Sequence, residues 1–306
     1  MPVRTGHDDV GFELHGMGIE LLVLIFLAAV WAGSINTVVG SGTLVTFPVL
    51  VAMGVPPVSA TVSNAMGLIA GNFTGAWGYR REIRSVRPVL ARLVPASVIG
   101  GAIGAVLLLT LPEEVFGKVA PILILISLLF VILQPKLARW VRARADSRND
   151  DPEPDLSDAG ELDAGATGEA KVPSAPTVGV ALFALVFLAG IYGGYFVAAQ
   201  GILLMGVLGV FLASTIQQAN GVKNILVAVV NLVAGISYVI TDYFIREPDD
   251  RVILWGVVGI IALGSTIGGL IGAWVGRRLS PLVLRAVIVT LGTVALIVML
   301  RDLIAG

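Results

Sequence analysis

Long apolar runs alternate with short polar breaks along the chain. Runs of about 20 residues cover Ile19–Val39, Val58–Tyr79, Val89–Leu111, Val115–Leu133, Thr177–Ala199, Ile216–Ile240, Val252–Val275 and Pro281–Leu300. At 1.5 Å per residue, a helix of about 20 residues matches a hydrocarbon core about 30 Å thick. One such run fits a buried core helix; eight predict a polytopic, all-α membrane protein. Barrel strands are shorter and alternate in polarity, so a membrane barrel does not fit. Two further apolar segments, Thr43–Gly54 and Ile202–Ala213, are only twelve residues long. They reach about 18 Å as helices, so each is expected to be a half-helix or a re-entrant element.

Composition agrees with the pattern: 56% of the residues are hydrophobic and 13% charged. Soluble domains carry roughly 25% charged residues. The first apolar run lacks a basic stretch before it and leads into further apolar runs, so it does not read as a cleaved signal peptide. The chain has no cysteine, which excludes disulfides, thiolate metal sites and thiol catalysis. His7 and His15 are the only histidines and lie in the N-terminal tail, residues 1–18, so no histidine metal cluster is expected in the membrane. Neither a cofactor nor a nucleic-acid partner is indicated.

Residues 143–176 break the apolar pattern. This stretch holds nine acidic and three basic residues and almost no large apolar ones, which predicts a disordered, acidic linker. Outside it the chain has 12 acidic and 17 basic residues, a net of +5 against −1 for the whole chain. The linker divides a first membrane half, 19–142, from a second, 177–306. A shift of 159 residues brings Gly42 onto Gly201, Asn64 onto Lys223, Asn72 onto Asn231 and Tyr79 onto Tyr238. A shift of 168 superposes the Gly-Gly-Ala-Ile-Gly-Ala run, Gly100–Ala105, on the related run Gly268–Ala273. An internal repeat is expected, with four long segments and one short one per half.

Topology then depends on the short segments. If they cross, each half has five crossings and the halves are inverted. If they re-enter, each half has four and the halves are parallel. Either way Arg80, Arg81, Arg84, Arg87 and the linker face the cytoplasm of a multi-pass cell-membrane protein by the positive-inside rule. Arg277 and Arg278, in one short loop, favour inversion.

The polar residues inside the apolar runs carry the candidate chemistry. Gly40-Ser41-Gly42 interrupts one helix and Thr43 restarts another. A restarted helix offers free N–H groups and the positive end of its dipole, an anion site without a charged side chain. Gln200 and Gly201 precede the second short segment in the same way. Asn64 and Asn72 share a helix face at a spacing of eight; Asn220, Lys223, Asn224 and Asn231 largely share another. Lys223 is the one basic residue well inside an apolar segment, and no acidic residue lies at its depth. A membrane-embedded cation is costly and reads as functional, here paired with an anionic substrate. The alternative is a helix that begins later, with the lysine reaching an interface. Single asparagines also serve as glue between helices. The GGxxGA runs are expected to be close-packing surfaces, and Trp31, Trp77, Trp140, Trp255 and Trp274 interfacial or packing residues.

The stretch Val38–Ile83 resembles the TauE/SafE family of sulfite and organosulfonate exporters. It shares the Gly-rich start, the proline a few residues on, the short apolar run ending in Gly, and an Ala/Thr/Asn-rich helix with an aromatic-Arg exit. Gln218–Tyr238 is similar to the family's pattern in which Ala219, Lys223 and Asn231 stand at matching positions. Two features depart from the family: Ala198-Ala199-Gln200-Gly201 stands where the family often keeps a Gly-rich or proline-containing run, and the acidic linker is long. The resemblance implies a transporter of small anions such as sulfite or sulfonates, not an enzyme. The expected substrate-binding residues are Ser41, Gly42, Thr43, Asn64, Asn72, Gln200, Gly201, Asn220, Lys223 and Asn231, between halves that rock to alternate access. Proton coupling through Lys223 or the substrate itself, and a homo-oligomer, stay open. An anion channel of the same architecture and a transporter of another small organic anion are the competing readings. A membrane-embedded enzyme has few catalytic groups available, and a structural protein would leave Lys223 without a role.

Overall fold

The computed structural model describes residues 18–149, 179–212, 215–275 and 281–305. The N-terminal tail and most of the expected linker lie outside them. The described residues form eleven α-helices and no strand: α1 (Ile19–Val38), α2 (Thr43–Ala52), α3 (Pro57–Gly78), α4 (Arg80–Ser85), α5 (Arg87–Thr110), α6 (Glu113–Asn149), α7 (Val180–Phe196), α8 (Gln200–Phe211), α9 (Ile216–Phe244), α10 (Trp255–Val275) and α11 (Pro281–Ala305). Five stretches, in α1, α5, α6, α9 and α10, are long and apolar enough to cross a membrane. α3 has the length, but Ser59, Thr61, Ser63, Asn64, Asn72 and Thr74 lower its hydropathy. α6 continues through Asn149, past the boundary expected at residue 142. The Ala- and Arg-rich sequence there favours helix.

The helix ends have local causes. Pro56 and Pro57 open α3, where a missing N–H costs nothing and φ is already helical. Thr215 caps α9: its hydroxyl accepts the Gln218 N–H, and the Gln218 side chain accepts the Thr215 N–H, a capping box. At the far end of α9, the buried Asp242 carboxylate accepts the N–H groups of Val252 at 2.8 Å and Ile253 at 3.3 Å, which ties the following loop to the helix.

Glycine contacts fix how the helices run. Gly264, Gly268 and Gly272 of α10 abut Phe26, Val30 and Ser34 of α1 in that order, so α1 and α10 run the same way. Gly67, Gly71 and Gly78 of α3 abut Ile261, Ser265 and Ala273, so α3 joins them. Gly100 and Gly104 of α5 abut Phe187 and Ile191, so α5 and α7 are parallel to one another. Gly221 of α9 lies beside Tyr79 and Ile83, and Gly235 beside Met66 and Ile69, so α9 is antiparallel to α3. Gln218 near the start of α9 bonds Ser85 before α5, and Arg246 after α9 bonds the Leu109 carbonyl near the end of α5. Thus α5, α7 and α9 run opposite to α1, α3 and α10.

This settles the role of the short helices. α1 and α3 run in the same direction, so the chain between them must return, and α2 carries that return. α1 and α3 therefore point opposite to α7 and α9. α1 packs on α10 and α7 on α5, α2 on α11 and α8 on α6, with α3 against α9. Both GGxxGA runs are close-packing surfaces, as expected. Cβ atoms at Gly104 and Gly268 would stand 2.2 Å and 2.0 Å from the carbonyl oxygens of Ile191 and Val30.

The outer surface is apolar. Ile122, Leu125, Leu129 and Ile132 of α6 form one exposed face, as lipid contact requires. Trp77 and Trp274 end α3 and α10 on the same side and are largely exposed, and the Arg80 guanidinium lies 5.4 Å from the Trp77 ring. That is the position of an interfacial belt. Inside, the Phe47 ring meets Phe196 edge-on at 5.5 Å, and Phe116 lies 6.0 Å from Phe196, which joins α2, α6 and the end of α7.

Candidate functional site: two facing helix breaks

Each short helix follows a break in the chain. Gly40 sits at φ +91°, a left-handed conformation that glycine adopts without steric cost. In the second half Val197 and Ala199 adopt φ of 57° and 59°. A positive φ at a β-branched residue is a strained outlier. The Ala198 N–H donates to the Phe196 carbonyl at 2.5 Å, which closes a γ-turn over Val197. The two breaks touch: a Cβ on Gly40 would lie 2.6 Å from Gly201 Cα, and one on Gly201 2.5 Å from Gly40 Cα. The two restarted helices thus begin side by side.

The free backbone groups at the first break account for the polar residues around it. Four carbonyls at the end of α1 lack helical partners. The Ile35 carbonyl accepts the N–H groups of Val39 at 2.7 Å and Gly40 at 3.2 Å. The Lys223 ammonium donates to the carbonyls of Asn36 at 3.1 Å and Thr37 at 3.2 Å, and the Asn224 amide to Thr37 at 3.3 Å. The embedded lysine is therefore held by the negative end of α1, not by an acidic residue. α9 begins at Ile216, about two turns before Lys223, and the lysine is fully buried in protein.

At the start of α2 the Gly42 N–H donates to Asn36 Oδ1 at 3.3 Å, and Asn36 Nδ2 donates to Asn72 Oδ1. Asn64 Nδ2 donates to Thr43 Oγ1 at 3.1 Å, and the Thr46 hydroxyl donates to Asn64 Oδ1. The N–H groups of Ser41 and Thr43 have no acceptor among the described residues, nor do those of Ala199 and Gly201 at the second break. The N-terminal turns of both short helices thus keep donors in hand beside one another.

The structure brings Ser41, Gly42, Thr43, Asn64, Asn72, Gly201 and Lys223 to the breaks. Gln200 opens α8, with its amide against Gly193 in the last turn of α7; a Cβ at Gly193 would stand 2.1 Å from the Gln200 amide carbon. Asn231 is fully buried on α9, level with the part of α3 around Asn72: Gly221 pairs with Tyr79 and Ile83, and Gly235 with Met66 and Ile69. Asn220 stands apart. It precedes Gly221 near the corner of α3 and α4, and no hydrogen bond ties it to the breaks. Sequence reasoning missed Asn36, Thr37 and Thr46 as site residues. The available signal for Asn36 was an amide one turn before a helix break.

A family profile described as "Sulfite exporter TauE/SafE" matches residues 25–299, nearly the whole chain. The chain belongs to the TauE/SafE family. This TauE/SafE chain is also similar to a "Probable membrane transporter protein" of Haemophilus influenzae, with 30% identity over 122 residues, 40% of the chain and 48% of the relative. It is 30% identical over 125 residues to "Probable membrane transporter protein YfcA" of Escherichia coli K12, covering 40% and 46%. It is 25% identical over 124 residues to "Probable membrane transporter protein ORF9" of a Sinorhizobium species, covering 40% and 48%. The chain spans about half the length of the curated relatives it matches. No solved structure matches it.

Proposed function

We propose that this TauE/SafE protein is a transporter, and by the family's description an exporter, of small sulfur oxyanions such as sulfite or small organosulfonates. The observation that carries the reading is the contact of the two helix breaks at Gly40 and Gly201, with unpaired N–H groups on both sides and the Lys223 ammonium beside them. Two positive helix ends and a cation form a site for a small anion between the halves. Lys223 has three N–H donors, two of them on α1 carbonyls, and the third remains for the anion. Ser41, Thr43, Asn64, Asn72, Gln200 and Asn231 are the further hydrogen-bonding groups.

The opposite directions of the two halves support their reading as an inverted repeat, the arrangement in which rocking of one half against the other alternates access to a fixed midplane site. The end of the molecule that carries Arg80, Arg81, Arg84 and Arg87, and with it the linker, faces the cytoplasm by the positive-inside rule.

Flux of sulfite and of a small sulfonate in proteoliposomes, wild type beside Lys223→Met, tests the reading, with folding checked by gel filtration. Wild-type flux that saturates and is lost in the folded variant is the expected result. Equal flux in both removes the lysine from the site. Absence of sulfur-oxyanion flux in the wild type overturns the substrate, and flux at channel rates overturns the carrier mechanism.

A further inference from the structure

The two halves treat their buried amides differently. In the first half Asn36 bonds Asn72 and the Gly42 N–H, and Asn64 bonds Thr43 and Thr46. In the second half Gln200 and Asn231 are completely buried, and neither the oxygen nor the nitrogen of either amide has a partner among the described residues. Because both ends are free, this does not depend on which way each amide is turned. A buried polar atom without a partner is costly, and a hydrogen-bonding ligand is what relieves it.

An amide has two faces to satisfy. Its NH2 donates, and so do the Asn72 Nδ2 left free by its neighbours, the unpaired N–H groups of the breaks and the third N–H of Lys223. These suit the oxygens of any anion. The carbonyl oxygens of Gln200 and Asn231 are acceptors, and an anion that only accepts would set lone pairs against them. A ligand that both accepts and donates satisfies the set.

We propose that the anion held between the breaks carries a hydrogen-bond donor of its own, an O–H group that donates to the carbonyl of Gln200 or Asn231. Resting on the transport reading above, this narrows the substrate class to hydroxylated or singly protonated oxyanions. Hydrogensulfite and hydroxyalkanesulfonates belong to that class; fully deprotonated sulfite and plain alkanesulfonates do not. The unpaired pair of the second half is then the specificity determinant, while among these amides of the first half only Asn72 Nδ2 lacks a partner.

The test uses two isosteric pairs on the purified full-length protein: 2-hydroxyethanesulfonate against 1-propanesulfonate, and 3-hydroxypropanoate against butanoate. Affinity is read by isothermal titration. Leaving one buried acceptor unpaired lowers affinity about tenfold or more, so each hydroxylated member is expected to bind at least that much more tightly than its partner. In Gln200→Leu and Asn231→Leu the difference shrinks to about twofold or less. The melting temperature of the ligand-free protein holds or rises, because an unpaired buried amide has been replaced by an apolar group of similar size. A merely structural amide would lower it. Equal affinities within both pairs in the wild type overturn the proposal, and so does a preference that survives both variants. A hydroxyl preference among carboxylates with no binding of either sulfonate upholds it while removing the sulfur substrate. Failure of all four probes to bind overturns both.

Discussion

Substituting alanine for glycine at four positions separates the two costs that the facing helix breaks impose. At Gly40, φ is +91° and a Cβ would stand 2.6 Å from Gly201 Cα and 2.7 Å from its carbonyl carbon. A left-handed conformation costs a residue with a Cβ about 1–2 kcal/mol. The steric overlap is with backbone, which cannot swing aside as a flexible side chain can, and overpacking of this kind costs roughly 1–3 kcal/mol. Gly40→Ala should therefore lose about 2–5 kcal/mol. Gly201 meets the same overlap from the other side, 2.5 Å from Gly40 Cα, without a left-handed φ. Its alanine variant should lose only the packing share, about 1–3 kcal/mol. Gly54 has φ of +86° with nothing within 4 Å, so Gly54→Ala should lose the conformational share alone, about 1–2 kcal/mol. Gly117 lies inside α6 with nothing within 4 Å, and alanine there should add up to about 1 kcal/mol of stability. The assay is the midpoint of heat-induced loss of the monodisperse gel-filtration peak in one detergent. About 1 kcal/mol corresponds to roughly 1.5–2 °C for a chain of this length. The expected order of thermostability is Gly117→Ala above wild type, then Gly54→Ala and Gly201→Ala, with Gly40→Ala last. If Gly40→Ala were as mild as Gly54→Ala, the backbone contact between the two breaks would be refuted.

The remaining predictions concern the network and the topology. Asn36→Leu strips the acceptor from the buried Gly42 N–H and the donor from Asn72 Oδ1, so thermal unfolding should show a loss of roughly 2–4 kcal/mol. Its backbone carbonyl still holds Lys223, so any folded fraction should keep more flux than Lys223→Met. The chain has no cysteine of its own, so single cysteines report sidedness directly. Gly18→Cys and Gly179→Cys, at the starts of α1 and α7, should react with an impermeant thiol reagent from opposite sides of a sealed vesicle. Labelling from the same side would contradict the opposed directions of the two halves.

Much was legible in the sequence because the signals are local. Eight apolar runs of membrane length define a helical polytopic protein whatever the packing. Gly40-Ser41-Gly42 marks a helix interruption because glycine and serine favour one, and the GGxxGA runs mark close approach because only small residues allow it. The short helices fall within two residues of their expected starts, at Thr43 and Gln200. What the tertiary structure decided is what depends on partners far along the chain. Sequence shows Lys223 without an acidic partner but cannot show that the end of α1, nearly two hundred residues earlier, supplies two free carbonyls. Nor does it reveal Asn36 as the hinge of the network, since an amide near a helix end bonds whatever the fold brings to it. Charge counts favour neither topology decisively. Direction follows instead from which glycine meets which carbonyl on a neighbouring helix, and that is a property of packing, not of any one segment.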